Sequence, residues 1–155
     1  MIELQILKDS LEKKKGILVQ IEDENKNQEN VLKADPVSFD DFEAVVDKKT
    51  VLIDELNKID QGFESVYERI KDTLLANKDQ FKKEIESLKS LISDITDLSV
   101  SIQAGETRNK SLVEKFFTKS REDLQAERIR AKSTYDYMNR NAGQEVEPRF
   151  MDTKK

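Results

Sequence analysis

The sequence predicts an all-α protein: an elongated antiparallel three-helix coiled coil, or bundle, whose C-terminal helix projects beyond the other two. Three observations lead there. Apolar residues recur at alternating spacings of three and four over three long stretches, the pattern of a helix with one buried seam. Only two short interruptions separate those stretches, Asp35-Pro36 and Ala76-Asn77-Lys78-Asp79. The composition, 38% charged and 36% apolar with four glycines and two prolines in 155 residues, suits solvated helices with a narrow stripe better than a wide core. The expected division is a helical body over residues 1–117, with helices at about 2–33, 38–75 and 79–117. A 118–155 segment follows, helical to about residue 140 and then a loose tail.

Helix one carries Leu4, Leu7, Leu11, Lys14, Leu18, Ile21, Asn25, Gln28 and Leu32 on a heptad seam, widened by Ile6, Ile17 and Val31. Glu22–Lys26 and Glu29–Lys33 stand at the four-residue spacing that supports a solvated helix face. Asp35-Pro36 closes the helix, because a residue before proline is pushed out of the α region.

Helix two opens at Ser38, with Asp41 three residues on, a pairing suited to the free N–H groups of a first turn. Its seam is Phe42, Val46, Lys49, Ile53, Leu56, Asp60, Phe63, Tyr67, Ile70 and Leu74. At 1.5 Å per residue it should run roughly 57 Å, and its stripe suggests the central helix, with a partner on each side. Helix three, expected to start at an Asp79 cap, carries Phe81, Ile85, Leu88, Ile92, Ile95, Ser99, Ile102, Glu106, Asn109, Val113 and Phe116.

Short links force consecutive helices antiparallel. Folding helix two onto helix one about Val37 pairs Leu11 with Phe63, Lys14 with Asp60, Leu18 with Leu56 and Asn25 with Lys49. Folding helix three onto helix two about Asn77 and Lys78 pairs Ile102 with Ile53 and Glu106 with Lys49. Both interior lysines thus face acids. Two polar layers are predicted, Lys14 with Asp60 and Asn25-Lys49-Glu106. One reading has them fixing register; the other has the long side chains snorkelling to water at a narrow seam. Gly16, Gly62 and Gly105 interrupt the helices at roughly 1 kcal/mol each relative to alanine, and Gly105 lies beside the second layer.

Helical composition runs on past Phe117 for about 23 residues, with no neighbouring helix to cover it. Its stripe shifts by one position, to Phe117, Leu124, Ala131, Tyr135 and Met138, as a heptad stutter does. A helix so thinly apolar gains stability when an amphipathic partner lies along it, and Phe117, Leu124, Ala131 and Met138 are the residues such a partner would bury. Asn141-Ala142-Gly143 ends the helix, and Gln144 to Lys155 forms the tail.

Chemistry is conspicuously missing. No cysteine or histidine occurs, so thiol and imidazole catalysis, disulfides and Cys/His zinc sites are excluded. There is no glycine-rich phosphate loop, Glu-x-x-His or calcium-loop spacing. Asp40-Asp41 belong to a helix's first turn, where acids favour the dipole. No catalytic residue, metal site or cofactor is expected, and the chain is not read as an enzyme. A net charge of −5 argues against duplex nucleic acid. Residues 110–155 hold 11 Lys/Arg against 8 Asp/Glu, or +3, which leaves −8 on residues 1–109. Apolar runs of at most three residues provide neither a signal peptide nor a membrane span.

The run Phe42-Glu43-Ala44-Val45-Val46-Asp47-Lys48-Lys49-Thr50-Val51-Leu52-Ile53-Asp54-Glu55-Leu56, continuing into Ile59-Asp60-Gln61-Gly62-Phe63-Glu64, resembles the centre of FlgN-type flagellar export chaperones. Ala131-Lys132-Ser133-Thr134-Tyr135, with Phe150-Met151-Asp152 ahead of a basic terminus, is similar to the ending of that family in Gram-positive bacteria. The resemblance implies a cytoplasmic chaperone of the flagellar type III export system. Its clients would be hook-associated proteins of the hook–filament junction, held by their terminal helices. It also implies client binding on the C-terminal helix and docking of a tyrosine there, Tyr135 or Tyr137, on the cytoplasmic domain of the export gate. A monomer or weak dimer is expected. The competing expectations are a self-associating coiled-coil adaptor or a sister chaperone with a filament or cap protein client.

Overall fold

The computed structural model describes residues 1–128, with side chains over residues 1–122. It contains three helices: α1 (Ile2–Lys33), α2 (Phe39–Ala76) and α3 (Lys82–Arg128), with no strand among the described residues. Helix α1 has the predicted limits. It ends where Ala34 turns extended and its N–H reaches the Val31 carbonyl at 3.3 Å, just ahead of Asp35-Pro36. Helix α2 starts as its cap predicts: Ser38 is extended, and its Oγ accepts the Asp41 N–H at 3.2 Å.

The start of α3 differs from expectation. Asp79 does not cap it; residues 77–81 form a turn, and the helix begins at Lys82. The cause is Asn77, which closes α2 twice over, its N–H bonding the Leu74 carbonyl and its Nδ2 the Thr73 carbonyl. The Asn77 carbonyl then accepts from both Gln80 and Phe81, so the chain keeps turning until Ile85 N–H bonds Phe81 O and opens α3. Helix α3 also runs unbroken past residue 117, and its 47 residues make it roughly 70 Å long.

The central helix is α1, not α2. Helix α1 packs closely along both α2 and α3, whereas α2 and α3 scarcely approach each other in backbone distance. The antiparallel registers nevertheless hold where they can be checked, since Lys14 meets Asp60 and Lys49 meets Glu106. Together they require α1 and α3 to run parallel, and the bridges between these two, Lys15–Asp94, Glu22–Ser101 and Glu29–Arg108, all join residues 79 apart.

This arrangement decides which of two overlapping stripes is buried. On α2, Phe42, Lys49, Phe63 and Ile70 belong to both. Val45 and Val66 are buried and Leu52 and Ile59 pack on the α1 core, while the expected Asp60 and Tyr67 are exposed. On α3, Leu91 and Leu98 pack on α1, while the expected Ile92 and Ser99 are exposed. Positions that would mesh α2 with α3 stay open because those two helices stand apart.

Three apolar clusters stack along the bundle. Leu4, Leu7, Val66, Ile70 and Leu74 form one at the α2–α3 turn. Leu11, Ile17, Leu18, Ile21 and Ile95 form the middle, and Leu32, Phe42 and Val113 close the other end. Between the last two lies a layer built of buried polar side chains, Asn25, Gln28, Lys49, Glu106 and Asn109.

Candidate functional site: a buried polar layer and an overhanging helix

Lys49, Gln28 and Asn109 are wholly buried, and Asn25 and Glu106 nearly so, at 2% and 6%. Lys49 Nζ donates to Gln28 Oε1 at 3.0 Å and forms an ion pair with Glu106 Oε1. Asn109 Nδ2 donates to the Asn25 carbonyl at 2.9 Å and to Gln28 Oε1 at 3.2 Å. Asn25 turns its own Nδ2 to the Ile102 carbonyl at 3.5 Å. All three helices are therefore tied by polar groups at one level. Asn25 Oδ1, Gln28 Nε2, Glu106 Oε2 and Asn109 Oδ1 have no hydrogen-bond partner among the described residues.

The predicted Asn25-Lys49-Glu106 layer thus exists but is larger. Gln28 supplies the α1 oxygen to Lys49, and Asn109 bridges Gln28 to α1's backbone. Both stood on the predicted seams, three residues from Asn25 and Glu106 respectively, and that spacing on one helix face was the available signal. Gly105 has a packing role here. It is buried, and a Cβ at its position would lie 3.2 Å from Asn25 Nδ2. No side-chain neighbour comes within 4 Å of such a Cβ at Gly16 or Gly62.

The other predicted layer is a surface bridge. Lys14 Nζ reaches Asp60 at 2.7 Å with the two side chains 25% and 51% exposed, which is the snorkelling arrangement. A further surface group joins Glu29 to Lys33 at 2.8 Å and to Arg108 at 3.4 Å. The Lys33 hydrogen bond, assisted by the Arg108 charge, holds the Glu29 carboxyl below its ordinary range.

At the end opposite the α2–α3 turn, α1 stops at Lys33 and α2 begins at Phe39, while α3 continues to Arg128. Phe116 and Phe117, with ring centres 5.3 Å apart, pack half-buried against the Leu32–Phe42–Val113 cluster. Phe117, expected on the partner-facing stripe, therefore already serves the bundle end. Phe42 is buried beneath a 40% exposed Phe39. Beside them a groove of about 470 Å³ runs between the 34–37 link and α3, floored by Leu32, Val37, Leu112 and Phe116 and edged by Lys115 and Lys119. Leu124 lies on the described helix, but its side chain is outside the described set. Ala131, Tyr135, Tyr137 and Met138 lie outside the described residues.

Among the described residues no group of three His, Cys, Asp or Glu side chains could hold a metal ion, and no helix is long and apolar enough to cross a membrane. No protein-family model matches the chain, and no curated protein or solved structure is significantly similar to it.

Proposed function

We propose that this chain is a helix-binding chaperone of the flagellar export type, which holds the terminal helices of hook-associated proteins in the cytoplasm and passes them to the export gate. The observation that carries this reading is the continuation of α3 to Arg128, beyond the ends of the other two helices among the described residues. Eleven residues past Phe117 extend the helix by roughly 16 Å. A client helix laid along this segment would restore the three-helix packing that α1 and α2 provide lower down, with Phe116 and Phe117 as its floor. Residues 110–155 carry +3, opposite in sign to the body, so the same segment would also attract an acidic client helix. The resemblance of the 42–64 run to FlgN-type chaperones names the client class and assigns Tyr135 or Tyr137 to the gate.

Titration calorimetry of a hook–filament junction protein against the full chain and its Leu124→Ser, Met138→Ser variant tests this. Binding by the full chain, weakened at least about tenfold in the variant with no change in thermal midpoint, is the expected outcome. Absence of binding by the native chain overturns the reading. A stable homodimer in light scattering would then assign the overhang to self-association.

A further inference from the structure

We propose a second docking site, separate from the overhang: the groove between α2 and α3 beside their connecting turn, occupied by a short amphipathic helix with acidic flanks. The groove follows from the fold. Helices α2 and α3 each lie against α1 but not against each other, so a trough opens between them on the side away from α1. In the upper bundle the Lys49–Glu106 ion pair spans this gap. Near the turn apolar residues face it instead. The trough there has a volume of about 540 Å³ and is floored by Leu74, Ile85 and Leu88.

Its walls expose more apolar surface than a solvated seam requires. Tyr67 is 40% exposed, Ile92 47% and Leu75 59%. Tyr67 is stacked on Phe63 at 6.1 Å, which supports its ring on one wall of the trough. Isolated exposed apolar residues are ordinary, but three converging on one trough mark an interaction surface.

Charge selects the occupant. Lys71, Lys78, Lys82 and Lys89 line the trough against Asp79 and Glu86, a local excess of two positive charges on a body carrying −8. Lys71 is paired with Glu68 at 2.8 Å, while Lys78, Lys82 and Lys89 form no ion pair among the described residues. Acidic residues flanking an apolar stripe would answer these lysines. The chain's own residues 129–155 hold six Lys/Arg against four Asp/Glu, the same sign as the rim, and are a poor match. Along α3, from Lys82 to Ile92, the trough follows nearly three helical turns, roughly 15 Å, so about ten residues of a bound helix would lie in it, with its flanks at the rim.

The probe is a fluorescent 16-residue helical peptide with leucine at heptad a and d positions and glutamate on both flanks, compared with a lysine-flanked counterpart. Anisotropy with the full chain should show the acidic peptide binding at least about tenfold more tightly than the basic one, and weakening as NaCl rises from 0.05 to 0.5 M. Ile92→Asp, and separately Lys82→Glu with Lys89→Glu, should each reduce binding at least about tenfold. All these positions are exposed, so the thermal midpoint should stay put. The Leu124→Ser, Met138→Ser variant should bind the peptide as the native chain does, which separates this site from the overhang. Equal binding of the two peptides, or full binding by Ile92→Asp, overturns the proposal. A dimer in sedimentation that Ile92→Asp dissociates also overturns it, by giving the trough to a second copy.

Discussion

Two of the lysine–carboxylate pairs that cross between helices in this bundle sit in different worlds. Lys14 and Asp60 meet with a quarter and a half of their side chains still in water. Lys49 and Glu106 meet with 0% and 7% exposed, alongside three buried amides. The first pair gives up little hydration and gains little. The second has surrendered most of its hydration and depends on each partner staying in place. One kind of contact therefore carries two different costs: at the surface little hydration is lost, and in the core each charge depends on its partner.

The sharpest way to break that contrast is to remove one member of each pair. Lys49→Ala should lower unfolding free energy on the order of 3–5 kcal/mol, because Glu106 is left as a buried charge without its ion-pair partner. Replacing both, Lys49→Met with Glu106→Leu, should recover most of that loss, so urea unfolding of the single and double variants tests whether burial is the cause. A double variant as unstable as the single one would mean that the amides need the ion pair.

The glycines sharpen the same comparison. Gly16→Ala and Gly62→Ala meet open space and should each stabilise by about 1 kcal/mol through helix propensity. Gly105→Ala should forfeit that gain and lower the thermal midpoint, since its Cβ presses on Asn25. If all three alanines raise the midpoint equally, the polar layer yields more easily than its burial implies.

A smaller effect belongs to the surface bridge. A double-mutant cycle on Lys14→Ala and Asp60→Ala should give a coupling of about 0.2–1 kcal/mol that fades as salt is added. The smallest concerns Glu29, whose folded-state pKa lies below its ordinary value of 4.5 because of the Lys33 hydrogen bond and the Arg108 charge. Its contribution is present above the unfolded pKa and disappears as pH falls through the lower folded value. Acid titration followed by NMR should show the Glu29 carboxyl titrating higher in Lys33→Ala, with a smaller rise in Arg108→Ala.

Much of the site was legible because its signals were local or arithmetic. Lys49 and Glu106 stood on seams whose fold-back points were marked by Pro36 and Asn77. Gln28 and Asn109 escaped assignment because pairing numbers match single residues across a seam, whereas a long amide reaches a level above or below its own. The trough between α2 and α3 escaped for another reason. Tyr67 and Ile92 read as core in a symmetric bundle and become wall only when two of the helices part.

By itself the sequence determined the three helices, their antiparallel order, their register and the acids that meet its two interior lysines. Caps, breaks and heptad spacing act within a few residues, and short links leave neighbouring helices little choice of direction. Only the tertiary structure decided that α1 is the centre, that one lysine pair is buried and the other wet, and that a gap remains between α2 and α3. On α2 and α3 the heptad core is flanked by apolar residues on both sides, Val45 and Val66 against Val46 and Tyr67 on α2, Leu91 against Ile92 on α3. Either flank satisfies the periodicity. The choice depends on how closely three particular surfaces pack together.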